Sequence, residues 1–134
     1  ILKKNGHEVE IFDTTYYSID YGIDSDGSKM ERLNVVPYSM EKKGIRLKTE
    51  DWKEDFKKKI YEFKPDLIAI SSTEDMWELG IKVLDEAREY KIDNNIPVIA
   101  GGVFPTFAPE ICIANNLVDQ SGIIFYGWYL PLKT

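Results

Sequence analysis

Uninterrupted apolar runs of strand length alternate with amphipathic stretches through the second half of the chain. Leu67-Ile68-Ala69-Ile70 is apolar at every position, the pattern of a central parallel strand covered on both faces. Ile96-Pro97-Val98-Ile99-Ala100 repeats it, and Pro97 is tolerable at a strand start. Between them the spacing predicts a helix over 74–90. Met76, Trp77, Leu79, Gly80, Ile81, Val83, Leu84 and Ala87 fall inward, and Glu78, Lys82, Asp85, Glu86 and Glu89 fall outward. Upstream, Thr49 is placed to cap a helix over 50–63, with Glu50 and Asp51 in its first turn and Trp52, Phe56, Ile60 and Phe63 on one face. Pro65 ends it. After Gly101-Gly102, residues 105–110 lead into a short helix to about Asn116, and a last strand is expected within 118–126.

The amino-terminal part is less regular. Residues 1–6 read as the last turn of a helix, with Lys3 and Lys4 at its negative end and Gly6 available for a left-handed cap. Apolar and polar positions alternate around Val9 and Ile11, so a short strand is predicted over 7–14, ending in the turn formers Asp13-Thr14-Thr15. Residues 16–48 show no sustained period, and a connection of that length is commonly functional or disordered. Short extended pieces are expected at Leu33-Asn34-Val35-Val36 and Ile45-Arg46-Leu47. Asp24-Ser25-Asp26-Gly27 resembles part of a calcium loop, but Gly22 stands at the first ligand position and Leu33 where the bidentate Glu belongs.

Strand, helix, strand, helix order with apolar strands implies a doubly wound α/β fold of Rossmann or flavodoxin type. Its sheet is mainly parallel, with helices on both faces. Ligands bind such sheets at the carboxyl ends of the strands. Here those ends are Asp13-Thr14-Thr15, Ser71-Ser72-Thr73 and Gly101-Gly102-Val103-Phe104-Pro105-Thr106. Paired glycines let a ligand lie against the backbone, although a tight strand-to-helix turn explains them equally simply. Ser71, Ser72 and Thr73 offer hydroxyls to a ligand, or Ser71 forms a capping box with Glu74. Glu74 and Asp75, in the predicted first turn, would repel a phosphate.

Composition narrows the chemistry. The 134 residues suit one domain, and 43% apolar with 30% charged residues is the balance of a folded chain. A net charge of -6 opposes nucleic-acid binding, and Lys57-Lys58-Lys59 reads as a solvated helix face. No apolar run approaches the roughly 18 residues of a membrane span. One Cys, Cys112, permits no internal disulfide, and no secretion signal opens the sequence, so a cytoplasmic protein is expected. Neither common phosphate-loop motif occurs. The lone His7 and lone Cys112 assemble no metal site and no nucleophilic triad. Binding is expected rather than catalysis.

Three segments carry a family resemblance: Asn5-Gly6-His7-Glu8-Val9, Lys64-Pro65-Asp66-Leu67-Ile68-Ala69-Ile70-Ser71-Ser72 and Pro97-Val98-Ile99-Ala100-Gly101-Gly102-Val103-Phe104-Pro105-Thr106. They resemble the amino-terminal cobalamin-binding domain of B12-dependent radical SAM enzymes. The branch is that of anaerobic magnesium-protoporphyrin IX monomethyl ester cyclases and related methyltransferases. The resemblance spans residues 1 to about 119. It implies cobalamin over the carboxyl ends of the strands, with its nucleotide tail lined by Ser71, Ser72 and Thr73 and by Gly101, Gly102, Val103, Pro105 and Thr106. Asp13, Thr14 and Thr15 would lie near the corrin. No His occurs in Asp13-Thr14-Thr15-Tyr16-Tyr17-Ser18, so the cobalt would carry no protein imidazole.

The resemblance also implies a radical SAM domain, with S-adenosylmethionine and a 4Fe-4S cluster, that this one-Cys chain does not contain. Catalysis would then not reside in this chain alone. The family's first strand, central in the sheet, precedes the helix that ends at Gly6. Without it, unpaired edges and a homodimer through them are expected. The expected organisation is one domain over 1–134, with an irregular insertion over 15–49 and an atypical tail over 120–134 lacking the family's Gly-Glu-Gly-Glu. Two other readings stand beside this one. They are a degenerate α/β docking domain that no longer binds cobalamin, and an independent flavodoxin-like enzyme with another small ligand.

Overall fold

The computed structural model describes residues 2–17, 36 and 41–121. The expected extended piece at Leu33-Asn34-Val35, the calcium-like loop and everything after Ser121 lie outside the described residues. The first helix, α1 (Trp52–Phe63), buries Phe56 and Ile60, as its period requires. Asp51, not Thr49, caps it: its carboxylate accepts the Lys53 N–H at 2.9 Å. The residue directly before the first helical position has the reach for that amide, whereas Thr49 stands two residues too early. Lys64, left-handed at φ 53°, closes the helix before Pro65.

β1 (Ile68–Ser71), β2 (Val98–Gly101) and β3 (Gln120–Ser121) form one parallel sheet in the order β1-β2-β3. Ile68 pairs with Val98, Ser71 with Gly101, and Ile99 with Gln120. This is a partial sheet with the helical connections of a Rossmann or flavodoxin-like fold. Among the described residues no helix is long and apolar enough to cross a membrane.

The helix predicted over 74–90 is two helices, α2 (Trp77–Glu86) and α3 (Arg88–Asn94). The Ala87 N–H donates to the Leu84 carbonyl at 3.0 Å, three residues back. That tightened turn seats Ala87 at 2% exposure among Phe56, Ile60, Tyr90 and Ile96, and the Tyr90 hydroxyl donates to the Pro65 carbonyl. Tertiary packing therefore breaks a continuous helical period. Residues 74–76 form a turn ahead of α2, so the expected capping box is absent. The Ser72 hydroxyl instead donates to the Thr73 carbonyl at 2.7 Å. Downstream, α4 (Val103–Phe107) and α5 (Pro109–Ala114) replace the single short helix expected.

A second cluster joins Trp77 and Leu84 to Val98, Ala100, Cys112, Leu117 and Val118. Asp119 fastens the β2 and β3 starts, accepting the Val98 N–H and pairing with Lys91, each at 2.8 Å. The Glu86 carboxylate bridges α2 to α1 through Lys53 at 3.1 Å and Lys57 at 2.9 Å.

The strand expected over 7–14 is overturned. Residues 7–14 make no strand: they follow the Gly6-capped turn Lys3–Asn5 as extended chain without a ladder. They hang on α1 instead, through a Glu10–Lys59 ion pair at 2.7 Å, Phe12 against Phe56, and the Tyr17 hydroxyl donating to Asp55 at 2.8 Å. A strand exists only where a neighbouring backbone completes its hydrogen bonds, and among the described residues none lies beside this segment. Ile45-Arg46-Leu47 likewise joins no sheet, and a single bridge pairs Tyr17 with Lys48. Nor is β1 covered on both faces, since Ala69 and Ser71 are exposed.

Candidate functional site

Two of the three predicted strand ends meet across one cavity of about 500 Å³. Asp13, Thr14 and Thr15 stand on one wall, and Ser71, Ser72 and Thr73 on the other. The floor towards α1 is apolar, made by Phe56, Ile60, Phe63 and Leu67 among others. That size falls in the range of small-ligand sites. The rim is polar because each wall ends in hydroxyl-bearing residues, while the floor is made by apolar side chains of α1 and β1.

Asp13 organises its wall. Its Oδ1 accepts the Thr15 hydroxyl at 2.6 Å and the Thr15 N–H at 2.9 Å. Those bonds hold the carboxyl below the ordinary aspartate range, the hydroxyl contributing most. An anion is thus fixed at the rim at neutral pH. On the other wall Ser72 is buried, with its hydroxyl turned to the backbone, whereas Ser71 and Thr73 are exposed. Among the described residues the Ser71 and Thr73 hydroxyls meet no partner, which leaves them for a ligand.

The third strand end divides. Gly102 is locked into the fold: its φ is 94°, and a Cβ there would lie 2.8 Å from Ser71 Oγ and 2.9 Å from Ser72 N. The Phe104 N–H donates to the Ser72 carbonyl and the Ser72 N–H to the Gly101 carbonyl, so the two loops are stitched together. Gly101 is different. It has no positive φ, and a Cβ there would meet nothing closer than the Ile70 carbonyl at 4.0 Å. The fold as it stands does not require glycine at 101, and the missing side chain leaves room beside the strand end. Pro105 is buried and the Thr106 hydroxyl donates to the Gly102 carbonyl, while Val103 is exposed. None of Gly101, Gly102, Val103, Pro105 and Thr106 lines the cavity.

His7 is exposed and does not line the cavity. Cys112 is fully buried, and burial pushes its thiol up, away from the thiolate a metal or nucleophilic role needs. Among the described residues no three His, Cys, Asp or Glu side chains are grouped to hold a metal ion. The anchoring of the first wall was not legible in the sequence. Lys48 donates to the Tyr17 hydroxyl at 3.1 Å and lies 4.4 Å above its ring, but these residues stand 31 positions apart.

A parallel α/β sheet with hydroxyls, a fixed carboxylate and a bare glycine at its carboxyl edge defines a small-ligand-binding domain of the doubly wound class. The particular family follows from the sequence: residues 34–127 match the B12 binding domain, and the chain belongs to that family. The match takes in all three strands and both glycines, whereas the wall formed by residues 10–15 lies before it. No curated protein and no solved structure matches the chain.

Proposed function

We propose that this chain is the cobalamin-binding module of a B12-dependent radical SAM enzyme of the magnesium-protoporphyrin IX monomethyl ester cyclase or methyltransferase type. Family membership implies cobalamin. The radical SAM partner rests on the resemblance of the 64–72 and 97–106 segments, and S-adenosylmethionine and the 4Fe-4S cluster would belong to that partner domain. When bound, cobalamin supplies electron or methyl transfer. The residues of this chain bind and orient it: Ser71 and Thr73 donate to it, Gly101 gives it room, and Asp13, Thr14 and Thr15 face it from the opposite wall. Val103 and Thr106 stand on α4, outside the cavity, while Ser72, Gly102 and Pro105 hold the loops in shape. The proposal extends to one domain over the whole chain.

The observation that carries this reading is the contrast at the glycine pair, because only Gly101 is free of a structural duty. A Gly101→Val variant should keep the far-ultraviolet circular dichroism and melting temperature of the parent, yet bind hydroxocobalamin at least about tenfold more weakly, about 1.4 kcal/mol. The parent's bound spectrum should show no histidine ligation. Equal affinity of parent and variant would remove Gly101 from the site, and no binding by either would favour the docking-domain reading. That second reading draws on one observation: Val103, Phe107 and Ile111 are 60%, 78% and 59% exposed on consecutive turns beside the same edge.

A further inference from the structure

The charges that line the cavity do not balance. Among the described residues the charged side chains of the lining are Glu10, Asp13 and Lys59. Glu10 and Lys59 neutralise each other at 2.7 Å, which leaves the Asp13 carboxylate. Its Oδ1 holds the Thr15 hydroxyl and N–H, but among the described residues its Oδ2 accepts no hydrogen bond. Lys48, the cation that acts on Asp13 through space, is engaged with the Tyr17 hydroxyl and ring. On the far wall the exposed Glu74 and Asp75 follow Thr73 directly and add negative charge beside the rim without lining the cavity. The Ser71 and Thr73 hydroxyls both donate and accept, so they suit either kind of ligand group, whereas an ionised carboxylate only accepts.

We infer that Asp13 sets the charge of the ligand group this rim admits: it accepts a hydrogen bond from a neutral carboxamide and turns away the corresponding carboxylate. The inference rests on the cobalamin reading of the same cavity. Cobalamin carries primary carboxamides around its corrin ring, and each presents two N–H donors. Such an amide gives Asp13 Oδ2 the donor that the protein does not supply. Hydrolysis of the amide removes those donors and sets a second negative charge against the first, with Glu74 and Asp75 across the rim and Lys59 already spent on Glu10. The Asp13 carboxylate cannot swing aside without giving up both bonds from Thr15. Its fixed position is what makes it selective, because a charge that moves freely relaxes away from a like charge instead of rejecting it.

The test titrates the chain with hydroxocobalamin and with its isomeric monocarboxylic acids, in each of which one peripheral propionamide is hydrolysed, following the corrinoid absorbance. The isomers share one net charge, so a spread among them reports a local contact and not general repulsion by a chain of net charge -6. One isomer should bind the parent at least about tenfold more weakly than the others, a charge-assisted hydrogen bond having been exchanged for a repulsion. Asp13→Asn keeps an oxygen for Thr15 and still meets an amide, so it should bind hydroxocobalamin but lose the spread. If Asp13→Asn does not keep the parent's circular dichroism, Asp13→Ser, another turn former, decides in its place. Equal affinity of the parent for all the isomers overturns the inference and leaves the cobalamin reading standing. So does a spread that a folded Asp13 variant retains. A parent that binds no corrinoid overturns both.

Discussion

The two sides of β1 behave as if they belonged to different proteins. Toward β2 and β3, Val98 is 1% exposed and Ala100, Cys112 and Val118 are fully buried in a cluster with Trp77 and Leu84 of α2. Away from β2, Ala69 and Ser71 of the same strand face a cavity, and the segment across it is tied to α1 rather than to the sheet. The apolar character of the residues is similar on both sides. Among the described residues the difference is whether a backbone neighbour completes the hydrogen bonds. Burial follows pairing here, because an unpaired strand edge keeps its polar groups in contact with water.

Substitutions probe that contrast, and the largest effect belongs to the closed side. Gly102→Val places a side chain against Ser71 and Ser72 at a backbone conformation reserved for glycine. The strain and overpacking together should cost about 3 kcal/mol or more, measured by urea unfolding, and a small loss would show that the 71–72 loop yields easily. Next, Val98→Ala, in the fully packed strand, should cost about 2 kcal/mol. Ile11→Ala, on the open wall, should stay within about 0.5 kcal/mol. Were the two comparable, the open side would be as well packed as the closed one.

The smallest effect is electrostatic. The Lys57 ammonium, with Lys53, holds the Glu86 carboxyl below the ordinary glutamate range. A carboxyl depressed in the folded state stabilises above its unfolded value and loses that contribution as pH falls through its folded value. The parent should therefore exceed Glu86→Gln in urea midpoint at neutral pH, and the gap should close on acidification below the usual glutamate range. A gap that persists in acid would mean that Glu86 acts by packing, not by charge.

Much of the architecture was legible in the residues. The apolar runs at 67–70 and 96–100 became β1 and β2, shifted by a residue or two at their ends, and Gly6 took its left-handed cap. Phe56 and Ile60 were read inward and are buried. The helix break at Ala87, the absence of a strand over 7–14 and the cap at Asp51 were not. Each depends on partners distant in sequence or on the exact first residue of a helix, which periodicity does not resolve. For the site, the sequence pointed to Asp13-Thr14-Thr15 and Ser71-Ser72-Thr73, and the fold brings both onto one cavity. It could not separate the two glycines. A Gly-Gly pair states only that side chains are absent, whereas the reason at each position lies in what stands opposite.

By itself, then, the sequence determined the strand-helix alternation, the parallel class of the sheet and the B12 binding family, because those depend on local period and on motifs along the chain. Only the tertiary structure decided that Gly102 serves the fold while Gly101 leaves space, and that, among the described residues, β1 is paired on one side and open on the other. Those outcomes turn on contacts across the sheet, between Gly102 and Ser71 or between Ala69 and the cavity it lines, and no local pattern records the distance between two segments that fold past each other.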